Sequence, residues 1–109
     1  MAELPRGTTR EVRRGGSGVL ELLLIDFDKE GGDGYIRVER PTSPPTTAQL
    51  VVRGGKPSMA LHESEGLAMG QAALEALRVD AAADDSRLSV HIDVDLVLIS
   101  ELHPEARLH

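Results

Sequence analysis

Ala48-Gln49-Leu50-Val51-Val52-Arg53-Gly54-Gly55-Lys56-Pro57-Ser58-Met59-Ala60-Leu61-His62 is the stretch on which the fold turns. Residues 48–52 and 58–62 read as two strands, and Gly54-Gly55 between them is a favoured dipeptide of tight hairpins, because a positive φ costs glycine nothing. Pro57 has no backbone N–H to give a ladder, so it belongs at the start of its strand or on an edge. Upstream, residues 35–40 alternate: Ile36 and Val38 point one way, Arg37 and Glu39 the other, as in a half-buried strand. The intervening Pro41-Thr42-Ser43-Pro44-Pro45-Thr46-Thr47 lacks donors at three positions and is expected to be an exposed loop. Three consecutive strands favour antiparallel meander pairing.

Helices flank this sheet on both sides in sequence. Leu20, Leu23, Leu24 and Phe27 fall at i, i+3, i+4 and i+7, with Ser17 as N-cap and Gly31 or Gly32 as the stop. The aliphatic run at 22–25 also admits a buried strand, but the spacing favours a helix. Past the hairpin, residues 65–78 carry Leu67, Gly70, Ala73, Leu74 and Leu77 on one helical face, with Ser64 as the cap. Residues 81–85 then read as a polar-ended connection. Leu88, Val90, Ile92 and Val94 alternate with Ser89, His91, Asp93 and Asp95, predicting a strand whose polar side is solvated. Leu96, Ile99 and Leu102 predict a short helix ended by Pro104. The expected fold is therefore α+β: a small antiparallel sheet of about four strands, two main helices and a short C-terminal helix.

Composition narrows the function classes. Apolar residues make up 40% of the 109-residue chain and charged residues 28%, as in one ordinary globular domain. Absence of cysteine rules out disulfides, a thiolate nucleophile and cysteine-rich zinc sites. The first residues carry Glu3, Pro5 and Arg6 rather than an apolar core, and no apolar run exceeds four residues, so a cytoplasmic protein away from membranes is expected. Net charge is −6, yet residues 1–18 hold a balance of +2, leaving −8 on the remainder, which disfavours polyanion binding by the body of the domain. The division expected is a basic arm, residues 1–16, and a single α+β domain, residues 17–109.

Three landmarks stand in order: Gly34-Tyr35-Ile36-Arg37-Val38, the hairpin around Gly54-Gly55, and the helix with Gly66 and Ala73-Leu74-Glu75-Ala76-Leu77. Together with the opening Leu4-Pro5-Arg6-Gly7, this arrangement resembles the PATAN-type domains of bacterial signalling proteins. It resembles more closely a family of uncharacterised archaeal proteins. The resemblance implies a protein–protein interaction role in regulation, without catalytic residues.

Few residues have the types and spacing that carry chemistry. His91, Asp93 and Asp95 share one side of a strand and could face a divalent cation, but alternation puts any polar side in that relation. His62 and Ser64 sit beside Glu63 and Glu65, yet no Gly-x-Ser-x-Gly elbow accompanies them, and Ser64 is explained as a helix cap. The glycine clusters lack the endings that cradle phosphates. No catalytic, cofactor or metal residues are therefore assigned. The candidate interaction residues are Arg6, Arg10, Arg13 and Arg14, and the expected partner is a protein, a second copy included. The alternative is an RNA- or ribosome-associated accessory protein that uses this arginine segment.

Overall fold

The computed structural model describes residues 8–92, 105 and 108. Along them run β1 (Thr8–Arg14), α1 (Val19–Glu30), β2 (Gly34–Arg40), β3 (Thr46–Arg53), β4 (Lys56–Glu63), β5 (Leu67–Met69), α2 (Gln71–Ala82) and β6 (Arg87–Ile92). The strands form one antiparallel sheet in the order β1-β6-β2-β3-β4-β5. Class, pairing sense and the two main helices are as expected, but the described sheet has six strands rather than about four. The short helix expected over 96–102 lies outside the described residues. No helix among them is long and apolar enough to cross a membrane.

Both additional strands come from segments read otherwise in the sequence. Residues 8–14, expected as part of a free basic arm, pair with β6 from Thr8↔Ile92 to Arg14↔Arg87. The ladder is a backbone interaction, so it forms although Val12 is the only aliphatic in the strand. The start expected for the second helix is likewise strand: Leu67, Ala68 and Met69 pair with Glu63, His62 and Leu61. The helix begins only after Gly70, whose N–H bonds Ala60 O at 3.0 Å. Ser64 is therefore no cap, and α2 runs four residues beyond the expected end at 78. Glycines at 66 and 70 disfavour the helical reading, while the alanines at 81 and 82 extend it.

Both helices pack on one face of the sheet. Leu20, Leu23 and Phe27 of α1 and Ala73, Leu77 and Ala81 of α2 meet Ile36, Val38, Leu50, Val52, Leu88 and Val90, all buried. Full burial of a Leu, Val or Phe contributes about 1.5–3 kcal/mol, so this layer supplies the main core. Gly18, not Ser17, is the N-cap of α1, without a side-chain cap, and Gly31 ends the helix as expected. At the β3–β4 turn, Gly54 and Gly55 have φ +58° and +81°. A Cβ on Gly55 would come within 2.9 Å of Phe27 O and Asp28 Cα, so the missing side chain lets the turn dock on the end of α1. Thr46 and Thr47 belong to β3, which reduces the expected 41–47 loop to residues 41–45, with a cis Ser43–Pro44 bond.

The opposite face holds a second buried set, Tyr35, Val51, Met59 and Leu61. His91 lies in it, contrary to the expectation of a solvated polar side for β6. It stands directly across from Tyr35 in the ladder and stacks on it, ring centroids 4.6 Å apart and 19° from parallel, leaving the histidine 6% exposed. An aromatic neighbour in register is what buries it.

Candidate functional site

The edge strand β1 carries the arginines singled out in the sequence, apart from Arg6, which lies outside the described residues. Arg10 Nη1 donates to Glu30 Oε2 at 2.7 Å, and its guanidinium lies 5.1 Å from the centre of the Phe27 ring. Arg13 Nε donates to Glu11 Oε2 at 2.7 Å. That hydrogen bond, with the negative charge of Glu11, holds the Arg13 guanidinium above its ordinary pKa. Arg14 Nε donates to the Asp84 carbonyl at 2.7 Å. The three cations thus turn toward α1, along β1 and toward the α2–β6 connection, and do not converge on one ligand. Between them Val12 remains 46% exposed.

Beside β1, on the face away from the helices, is a cavity of about 190 Å³ bordered by Thr9, Val12, Arg37, Glu39, Ser89 and His91. The hydroxyls of Thr9 and Ser89 flank the His91 ring, 3.3 Å from Nδ1 and 2.9 Å from Nε2. Arg37 Nε lies 3.2 Å from Glu39 Oε1, but Nε and Nη1 are buried without a hydrogen bond of adequate geometry. The metal arrangement weighed in the sequence needs Asp93 and Asp95, both outside the described residues. Among the described residues no three His, Cys, Asp or Glu side chains cluster to hold a metal ion.

A polar cluster that sequence reasoning missed lies on the helix face. Asp80 of α2 is 7% exposed. Its Oδ2 accepts from Thr46 Oγ1 at 2.9 Å and from His62 Nε2 at 2.6 Å, while Arg40 Nη1 stands 3.6 Å from Oδ1. Arg40 Nε donates to Asp85 Oδ1 at 2.8 Å. This bond and the charges of Asp85 and Asp80 raise the already high arginine pKa. A neighbouring cavity of about 480 Å³ is bordered by Arg40, Pro41, Pro45, Thr46, Thr47 and Asp85. The signal in the sequence was position: Asp80 lies three residues after Leu77, on the stripe that also buries Ala73 and Ala81.

The cluster ties α2 to β3 and β4 and lacks the arrangement of a nucleophilic site. Asp80 holds Nε2 of His62, the nitrogen that a serine-type triad presents to its nucleophile. The Thr46 hydroxyl donates to the carboxylate and so is directed away from that role. Ser64, two residues after His62 in sequence, is exposed in the turn closed by Ser64 N–H donating to Gly66 O at 3.0 Å.

Comparison of the chain with protein-family models, with curated proteins and with solved structures gives no match.

Proposed function

We propose that the chain is a non-catalytic protein-interaction module, acting in cytoplasmic regulation or assembly, that engages its partner by strand pairing at β1. The observation that carries this reading is the position of β1: a seven-residue strand at the end of the sheet, with β6 as its one neighbour among the described residues. An edge strand offers backbone donors and acceptors to an added strand, which is a general mode of peptide and protein recognition. Val12, exposed at the middle of this edge, gives such a partner an apolar contact. The resemblance to PATAN-type interaction domains points the same way.

The pairing of Arg10 with Glu30 and of Arg13 with Glu11 favours a protein partner over the phosphate-binding alternative. Nucleic acid binding draws on arginines free to displace counterions. The reading is tested by purifying the full chain from its native cells, with and without Val12→Lys, which places a charge on the edge. A stoichiometric protein partner, a second copy included, lost on Val12→Lys with the circular dichroism spectrum of the native fold retained, is the expected result. A partner retained by the variant, or nucleic acid absorbance that salt removes in place of a protein, overturns it.

A further inference from the structure

The geometry points to a second copy of this chain as the partner of β1, paired antiparallel about a two-fold axis at Val12, so that two six-stranded sheets join into one. The inference rests on the strand-pairing function proposed above and names its occupant. β1 is the better of the two described edges for this purpose: it has seven residues, whereas β5 at the opposite end has three.

The register follows from symmetry and charge. Two identical strands meeting antiparallel in one sheet are related by an axis normal to it, so each residue faces one whose side chain lies on the same side. The axis must then pass through a residue pair, and the central choices are Glu11, Val12 and Arg13. An axis at Glu11 sets that carboxylate against its own copy, and an axis at Arg13 does the same with two guanidinium groups. Like charges directly opposed across strands are destabilising. An axis at Val12 packs valine on valine and places Glu11 opposite the partner's Arg13, twice over.

The monomer already shows these groups in position. Glu11 and Arg13 share a side of β1, 2.7 Å apart at Oε2 and Nε, with side chains 28% and 47% exposed. Each can therefore turn from its own neighbour to the partner's without rearranging the backbone. The remaining pair in this register would be Arg10 with the partner's Arg14. The irregularity in pairing between Thr9 and Glu11 takes Arg10 out of the row, and its guanidinium is held over Phe27 and on Glu30. The like charges at the ends of the register are thereby kept apart.

Cysteine scanning tests the register, since the chain has no cysteine of its own. Directly opposed Cβ atoms lie about 4.5–5.5 Å apart, near disulfide range, while a diagonal pair lies about 7–8 Å apart. Val12→Cys should cross-link to its copy under mild oxidation at least roughly tenfold faster than Glu11→Cys or Arg13→Cys. Sedimentation equilibrium of the cysteine-free chain should show a reversible dimer. Arg13→Glu or Glu11→Arg alone should weaken it by roughly tenfold, and the two together should restore it, because the exchange keeps every opposed pair complementary.

Fastest cross-linking at 11 or 13, or failure of the double exchange to restore a dimer weakened by the single changes, overturns the register and with it the inference. A chain that stays monomeric, with no Val12→Cys cross-link, overturns the second-copy assignment. If that monomer still binds another protein in a Val12→Lys-sensitive way, the strand-pairing function survives. A dimer indifferent to Val12→Lys overturns both.

Discussion

Replacing Asp80 with alanine tests whether the buried polar cluster holds α2 to the sheet. The wild-type carboxylate accepts from Thr46 and His62 at 2.9 and 2.6 Å in a site where it is itself 7% exposed. Its removal strands two donors, each costing about 1–3 kcal/mol when left without a partner. The lower half of that range applies to both, because the Thr46 hydroxyl can rotate and the His62 side chain keeps slight contact with solvent. Arg40 adds little: it stands 3.6 Å from Asp80 and retains Asp85 at 2.8 Å in a partly exposed setting. The expected loss is about 2–4 kcal/mol, which in a chain of this size lowers the melting temperature by roughly 10–20 °C. Urea denaturation followed by circular dichroism measures it, with an unchanged slope showing that the native fold is retained. Asp80→Asn keeps one acceptor oxygen and should recover about half of the loss. A cycle with His62→Ala should show coupling of about 1–2 kcal/mol, because the two side chains share a bond. An Asp80→Ala protein within about 0.5 kcal/mol of wild type, or an additive cycle, would refute the assignment of this cluster as the pin.

Truncation of residues 1–14 should lower the melting temperature and bring on aggregation, because it strips β6 of the ladder that β1 forms from Thr8 to Arg14; a truncated chain that melts like the full one would show that β1 lies outside the cooperative unit. His91→Ala should cost about 1–3 kcal/mol by thermal or urea denaturation, since it removes a buried ring stacked on Tyr35, whereas a solvated histidine would leave stability within about 0.5 kcal/mol.

The parts of the fold legible in the sequence are those in which side-chain burial is periodic. Leu88, Val90 and Ile92 on β6, and Leu20, Leu23 and Phe27 on α1, announce their elements because each faces the same core from one side only. β1 offers no such pattern: its place is secured by backbone hydrogen bonds, and its side chains are mostly charged because they face water at an edge. β5 is too short for a period to show. The polar residues were harder to read than the apolar ones. Alternation places His91 on the side opposite Val90 but cannot reveal that Tyr35, 56 positions earlier, stacks on it. Asp80 was legible in principle, as a carboxylate on the apolar stripe of α2, but its partners Thr46 and His62 come from strands that only the tertiary fold brings together.

The adjacency of β1 and β6 has a consequence for the newly made chain. The strand synthesised first among those described has its ladder partner in the strand synthesised last, about 80 residues on. At typical elongation rates, β1 is exposed for roughly 4–16 s before β6 is complete. The hairpins from β2 to β5 need no such wait, since each pairs with the next strand along the chain. Through that interval Thr8–Arg14 offers little apolar surface for collapse onto other segments, with Val12 as its single aliphatic side chain. The charge density that makes this segment look like a disordered tail is thus what a waiting strand requires while its partner is still in the ribosome.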